Sequence, residues 1–179
     1  MAEVLHFDSI YDIINIWRIR LVNYSYIATA IVLRDLNCTS IETLDDRILL
    51  QKKVYLAQDI GVPLHYGYSW YIHGPYSTDL TAVAYQVIPE GFDDLENKTL
   101  KEPYKVKLKK INDLDVEKSS AHLNSVHWYE LLASIAYWVN HGYNREADVV
   151  TKMHETKPQF NEQQVKLGYK SYCSLKQVS

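Results

Sequence analysis

The sequence predicts a single, mainly helical α+β domain that carries a small antiparallel β-sheet. Apolar residues recur at helical spacing in most segments, which is typical of helices with one buried face. Two shorter segments alternate between apolar and polar side chains, which is typical of half-buried strands. The chain has 179 residues, which is enough to bury the core of one domain spanning residues 1–179.

Three helices are predicted in the first third of the chain. The first covers Asp8–Leu21 and the second Ser25–Leu36, and both belong to a helical extension over residues 1–45, although the Tyr, Ile and Val content of the second also allows a strand. The third covers Leu44–Ile60. Gly61 is expected to stop it, because glycine readily adopts the positive φ that ends many helices.

The middle of the chain is expected to supply the strands. Residues 66–71 alternate with period two, which places three aromatic side chains on one face: Tyr66, Tyr68 and Trp70. Gly74-Pro75 is expected to break that strand, and Ser77 to cap the next helix. A second strand is predicted over Tyr104–Ile111, with lysines on its solvent face.

Three more helices are predicted to close the chain. They run from Asn124 or Ser125 to about Asn140, from Asn144 to about Thr156, and from Asn161 onward. Asn161 and Gln164 have the spacing of a capping box, in which the two residues satisfy each other's backbone amides at the helix start.

Composition and charge favour a cytoplasmic protein. The net charge is −3, which argues against extensive coating of nucleic acid but allows a local basic patch. Two cysteines lie far apart, so a reducing compartment is the simpler interpretation. No secretory signal is visible, and every apolar run is shorter than the ~20 residues that cross a bilayer. We therefore expect no membrane association.

Four motifs in a fixed order carry a family resemblance. They are Leu50-Gln51-Lys52-Lys53-Val54-Tyr55-Leu56, Tyr71-Ile72-His73-Gly74-Pro75-Tyr76-Ser77-Thr78-Asp79-Leu80, Trp128-Tyr129-Glu130-Leu131-Leu132-Ala133-Ser134-Ile135-Ala136-Tyr137, and Lys157-Pro158-Gln159-Phe160-Asn161. Over about Leu49–Leu175 the set resembles the YwgA-like family and, more loosely, the Panacea (SocA-like) antitoxin domain. Residues 1–45 match weakly, and Lys53 stands where the family often has an aliphatic residue.

The resemblance implies a toxin-neutralising or adaptor module that works through protein contacts. Its expected partner is a toxin or a phage-defence effector. The chain itself contains 15 tyrosines, whose amphipathic rings serve well at interfaces. A non-catalytic protein-interaction module is therefore the leading hypothesis, and a homodimer is compatible with it. The residues expected to contact a partner are Lys52, Trp70, Tyr71 and Tyr76.

A small-molecule-binding enzyme is one alternative. Its site would form where a glycine allows close backbone approach and a helix start attracts anions, at His73, Gly74 and Ser77. The same residue types also build an ordinary turn and helix cap. No catalytic motif, metal-ligand spacing or phosphate loop accompanies them, so we expect no enzymatic activity, metal or cofactor.

A DNA-binding, winged-helix-like regulator is the other alternative. In it, the lysines on the solvent face of the second predicted strand would contact phosphates. These residues are Lys105, Lys107 and Lys109.

Overall fold

The computed structural model describes residues 25–177 and confirms a mainly helical α+β fold with a small antiparallel sheet. This range contains seven α-helices and two strands, in the order α1 (residues 25–35), α2 (Leu44–Asp59), β1 (Ser69–Tyr71), β2 (Gly74–Tyr76), α3 (Thr78–Glu90), α4 (Glu102–Asp113), α5 (Ser125–Asn140), α6 (Glu146–Thr156) and α7 (Glu162–Gln177). The helix predicted over Asp8–Leu21 lies outside the described residues.

Local sequence signals set both ends of α2, of which the stop at Gly61 was predicted and the capping box at Thr43 was not. The Thr43 hydroxyl accepts a hydrogen bond from the Asp46 amide at 3.1 Å, and the Asp46 carboxylate accepts one from the Thr43 amide at 3.0 Å. This capping box satisfies two of the donors that a helix start leaves open. After the helix, Gly61 adopts a φ of +91°.

α5 is the central helix of the fold. Its residues from Trp128 to Ala136 are all buried, and it packs against α2, α6, α7 and β2. The Trp128 indole donates to the Leu114 carbonyl at 2.8 Å, and the Tyr129 hydroxyl donates to the Ile111 carbonyl at 2.6 Å. The polar tips of both rings are therefore satisfied, which burial of such groups requires.

The two strands form a tight hairpin that sits on α2 and α5. β1 pairs antiparallel with β2, with Trp70 opposite Pro75, and the turn is at residues 72–73. The first strand ends before Gly74, as predicted, but the turn lies at residues 72–73, and Gly74 and Pro75 belong to the returning strand. Proline fits there because a two-stranded sheet has only edge strands, whose outward amides need no partner.

The predicted alternation before the turn is present although only its end is a paired strand. Tyr66, Tyr68 and Trp70 are half-buried, and the residues between them are exposed. Pairing is confined to Ser69–Tyr71, because β2 is three residues long.

The prediction of a second strand over Tyr104–Ile111 is wrong, because these residues lie in α4. Leu108 and Ile111 are 1% and 0% exposed, a spacing that buries one face of a helix. Val106 completes the apparent alternation in the sequence, yet it is 44% exposed. Pro103 lies in the first turn of α4, a position that proline favours.

The helix separates the three lysines that the predicted strand would align. Successive helical residues turn by about 100°, so Lys107 faces away from Lys105 and Lys109. Lys105 and Lys109 pair with acidic residues of α4 itself, whereas Lys107 donates to the Ile60 carbonyl at the end of α2. The strand on which the winged-helix hypothesis depended is therefore absent from residues 104–111.

The three closing helices are where the sequence predicts them. Asn161 and Gln164 exchange two hydrogen bonds of 2.9 Å at the start of α7, as the capping-box spacing predicts. α6 begins at Glu146, with Arg145 rather than Asn144 at the cap position.

Candidate functional site

Two glutamines of α2 hold the chain on either side of the hairpin. The Gln51 side chain accepts a hydrogen bond from the Ser77 amide and donates one to the Ser77 carbonyl, each at 2.9 Å. Gln58 makes the same pair of bonds to Tyr66, at 2.7 Å and 2.8 Å. The glutamines are seven residues apart, so they lie on one face of the helix. The hairpin is thereby fixed to α2 at both ends.

Two buried lysines bind the hairpin itself. Lys52 donates to the Pro75 carbonyl at 2.6 Å, and Lys157 donates to the Ile72 carbonyl. Their side chains come from α2 and from the segment between α6 and α7, and the two residues are 1% and 2% exposed. Two lysine amines from different segments therefore donate to backbone carbonyls of the hairpin.

A buried ion pair lies beneath the turn of the hairpin. Lys157 Nζ is 2.5 Å from Glu130 Oε1, and these side chains are 3% and 4% exposed. The other carboxylate oxygen is 3.2 Å from His73 Nδ1, and Gln159 donates to Oε1 at 3.3 Å. Both oxygens of Glu130 are thus partnered, which a buried carboxylate requires.

The environment of Lys52 disfavours its charged form. Burial lowers the pKa of this amine from 10.5 to about 7, with Glu130 opposing the change and Lys157 adding to it. At neutral pH the amine therefore exchanges between its charged and neutral states.

Replacing Lys52 with methionine is expected to change the pH dependence of stability. Since the folded pKa is the lower one, the unfolded state binds more protons between about pH 7 and 10.5. The penalty for burying the wild-type amine is therefore complete below pH 7 and fades as pH rises. We expect the stability of Lys52→Met, relative to wild type, to fall by roughly 1 kcal/mol per pH unit across this window. Urea denaturation of both proteins at pH 6, 7, 8 and 9 measures the difference in their free energies of unfolding. A difference that does not change with pH would contradict the prediction.

A groove opens between α2, the hairpin and the first turns of α3, with a cavity of about 270 Å³. We call it the hairpin groove, and its main lining residues are Leu44, Arg47, Lys52, Tyr71, His73 and Tyr85. Much of its wall is apolar, and none of the described residues that line it is an aspartate or a glutamate. The groove thus combines apolar walls with basic side chains.

Large apolar side chains are exposed around the mouth of the hairpin groove. Three of them line the groove, Leu44 (55% exposed), Tyr71 (59%) and Tyr85 (52%), and the fourth, Ile72 (71%), is the turn residue that follows Tyr71. We call these four residues the rim. Elsewhere in residues 25–177, the comparably exposed large apolar side chains are Val106 and Val116, which lie apart from the groove. Scattered exposure of this kind is ordinary, whereas a contiguous exposed patch marks an interaction surface.

The structure brings together five of the seven residues proposed from sequence for partner or ligand binding. The lining of the hairpin groove includes Lys52, Tyr71, His73, Gly74 and Tyr76.

Trp70 and Ser77 lie outside the hairpin groove. Trp70 packs against Tyr137 and Trp138, with ring centroids 5.2 Å and 4.6 Å apart. Ser77 is buried, and its hydroxyl accepts from the Leu80 amide at 3.3 Å, so it acts as the cap of α3. The helix start is therefore already occupied by a side chain of this protein.

Sequence reasoning missed Glu130 and Lys157. A usable signal was present, because Glu130 is the only charged residue in the apolar stretch 128–139 and such a residue needs a buried partner. The partner is 27 residues away along the chain, and no local pattern links the two positions.

The geometry near the hairpin lacks the pairing that activates a serine. Ser134 Oγ is buried without a hydrogen-bond partner in the described part of the chain, while His73 Nδ1 contacts Glu130. A serine nucleophile needs a hydrogen bond to its base. Within residues 25–177, no cluster of three or more His, Cys, Asp or Glu side chains is arranged to hold a metal ion.

None of the helices described over residues 25–177 has the length and apolar character needed to cross a bilayer.

Comparisons with known proteins returned no match. No family model, curated protein or solved structure matches the chain. The resemblance to the YwgA-like family therefore stays a prediction that depends on its four motifs.

All four motifs nevertheless meet at the hairpin. The first supplies Gln51 and Lys52, the second forms the hairpin, the third supplies Glu130, and the fourth supplies Lys157. Lys53, the departure from the family pattern, is also accommodated: it donates to the Leu36 carbonyl at 3.0 Å and to Asn112 at 3.1 Å.

Proposed function

We propose that this chain is a non-catalytic protein-interaction module that binds an apolar segment of a partner protein in the hairpin groove. The observation that carries the proposal is the rim, in which three exposed apolar side chains line one cavity and a fourth, Ile72, follows Tyr71 in the hairpin turn. Burying apolar surface of this kind drives most protein association. Tyrosine is favoured as an anchor because its rigid ring has few rotamers to lose on binding.

The way in which the hairpin is anchored to the rest of the fold supports this role. Gln51 and Gln58 fix both ends of the hairpin, and Lys52 and Lys157 bind its carbonyls. A surface held in this way loses little conformational entropy when a partner binds, which favours affinity.

The biological setting is part of the same proposal. The resemblance to Panacea-type antitoxins favours a toxin or a defence effector as the partner. Cys38 and Cys173 are both free thiols, which suits a reducing cytoplasm.

Ile72→Asp is expected to weaken partner binding at least tenfold while leaving the fold intact, because Ile72 is 71% exposed at the rim. A charge placed in an apolar interface must be desolvated without a partner, which opposes binding. Proteins captured by the immobilised chain would be identified by mass spectrometry, produced recombinantly and titrated by calorimetry against wild type and the variant.

Val116→Asp is the matched control, since Val116 is 80% exposed and, unlike Ile72, is not adjacent in the chain to a residue that lines the groove. It should change affinity less than twofold. Equal affinity of the two variants for every captured protein would refute the proposed docking site. If the captured protein is a second copy of this chain, sedimentation will show a dimer that Ile72→Asp dissociates, which would replace the partner protein with self-association.

A further inference from the structure

Basic side chains set the charge of the hairpin groove. Its described lining includes Arg47, Lys52 and His73, and no acidic residue opposes them there. Glu130, the nearest carboxylate to His73, is buried and already engaged by Lys157. The groove is therefore complementary to a ligand that carries negative charge.

The three buried lysines of the described chain differ in how well they are satisfied. Lys157 has a carbonyl and a carboxylate as acceptors, and Lys53 has a carbonyl, an amide oxygen and the face of a tyrosine ring 4.9 Å away. Lys52 has one acceptor, the Pro75 carbonyl, although it is 1% exposed.

An ammonium group has three N–H donors, and burial makes each unsatisfied donor unfavourable. Within residues 25–177, Lys52 is thus the buried lysine that lacks a second acceptor, and it is also the one that lines the hairpin groove. A carboxylate bound in the groove would supply the missing acceptor and favour the charged amine.

The size and shape of the groove constrain what carries that carboxylate. A cavity of about 270 Å³ is just below the range of ~300–1,000 Å³ that is typical of small-molecule sites, so it suits one or two apolar side chains. The rim extends apolar surface beyond the cavity, through Leu44, Ile72 and Tyr85. A free acid confined to the cavity would leave that surface exposed, whereas the residues preceding a chain terminus would cover it.

We propose that the hairpin groove captures the carboxyl terminus of a partner protein, with the terminal carboxylate against Lys52 and an apolar last side chain in the cavity. Capture of a chain terminus is an established mode of peptide recognition, in which the free carboxylate provides specificity. This inference rests on the proposed docking function and names the group of the partner that is recognised.

The test uses peptide pools as probes. Fluorescein-labelled pentapeptides with randomised upstream positions and Leu, Ile, Val or Phe at the last position are prepared as free acids and as C-terminal amides. Fluorescence anisotropy measures the dissociation constant of each pool for the full chain. We expect at least one free-acid pool to bind tenfold or more tightly than its amide, because only the free acid supplies the acceptor for Lys52.

Two variants assign this preference to Lys52. Lys52→Met should reduce the acid-to-amide ratio to within twofold, while Lys53→Met, which removes an adjacent buried lysine outside the groove, should retain it. Methionine approximates the lysine stem in length and shape. If circular dichroism shows that Lys52→Met is unfolded, Lys52→Gln replaces it, because glutamine retains a donor but no charge.

The outcomes separate this inference from the proposed function. Equal binding of acid and amide pools, or no binding of any pool, overturns carboxylate capture, while loss of partner binding in Ile72→Asp would still support docking at the rim. N-acetyl-leucine or N-acetyl-phenylalanine binding as tightly as the peptides would also overturn it, in favour of a small-acid site. A tenfold acid preference that persists in Lys52→Met would overturn the role of Lys52.

Discussion

Glu130→Ala is expected to lower the free energy of unfolding by about 3–5 kcal/mol, the usual effect of breaking a buried ion pair. The variant leaves the Lys157 ammonium 3% exposed with only the Ile72 carbonyl as acceptor, and it removes a partner of His73. Removing one member of such a pair is harmful because the other charge stays buried without compensation. Urea denaturation at pH 7 measures the loss.

Glu155→Ala is the matched control for this prediction. Glu155 is also paired with a lysine, Lys152, at 3.0 Å, but its side chain is 58% exposed. An exposed pair contributes little, so the change should stay within about 0.5 kcal/mol. The double replacement Glu130→Leu with Lys157→Met should recover much of the lost stability, because apolar side chains replace a buried pair without stranding a charge. A loss below 1 kcal/mol in Glu130→Ala would show that Lys157 finds solvent when its partner is removed.

Gly74→Ala is expected to destabilise the protein by about 2–4 kcal/mol, for two reasons that add. Gly74 has a φ of +87°, which strains any residue with a side chain. A Cβ at this position would also lie 2.6 Å from Ser134 Oγ, so the hairpin or α5 would have to shift. Thermal and urea denaturation would measure the effect.

Two other glycines separate the strain from the clash. Gly91 has φ and ψ of +78° and −173°, a region used almost only by glycine, but open space around it, so Gly91→Ala should cost about 1–3 kcal/mol from strain alone. Gly67 has neither feature, and Gly67→Ala should be close to neutral. Ser134→Ala should by itself cost little, since Oγ has no hydrogen-bond partner among the described residues, and it should relieve part of the Gly74→Ala defect. If Gly74→Ala and Gly91→Ala lose the same stability, the clash does not contribute.

Strong local signals made most of the fold predictable. α5 and α7 each have an apolar stripe, and the starts of α2, α5 and α7 carry capping residues whose hydrogen bonds the structure contains. α4 was mispredicted because Val106 lies two residues from both Tyr104 and Leu108 and so completes a period-two pattern. Burial of Leu108 and Ile111 against the core decided the outcome, and that information is not local.

The sequence predicted that residues 66–77 contain a strand and a turn, but it did not predict the paired hairpin. Its Gly-Pro motif indicated a turn, but pairing with β1 depends on how residues 69–76 sit on α2 and α5. The hairpin groove is less predictable still, because its walls come from three separate elements. Lys52 and Tyr71 were singled out from motif order, whereas the environment that makes Lys52 unusual includes Glu130 and Lys157, which are distant in sequence.

The contrast between the anchored ends of the hairpin and its exposed tip has an evolutionary consequence. Its two ends are anchored by Gln51 and Gln58, whereas the side chain of Ile72 at the tip is 71% exposed and the bond from Lys157 goes to the Ile72 backbone carbonyl. Substitutions at the tip can therefore accumulate without a folding penalty. If the groove binds a partner as proposed, descendants of this chain could change targets through a substitution at position 72, while the anchoring glutamines stay the same.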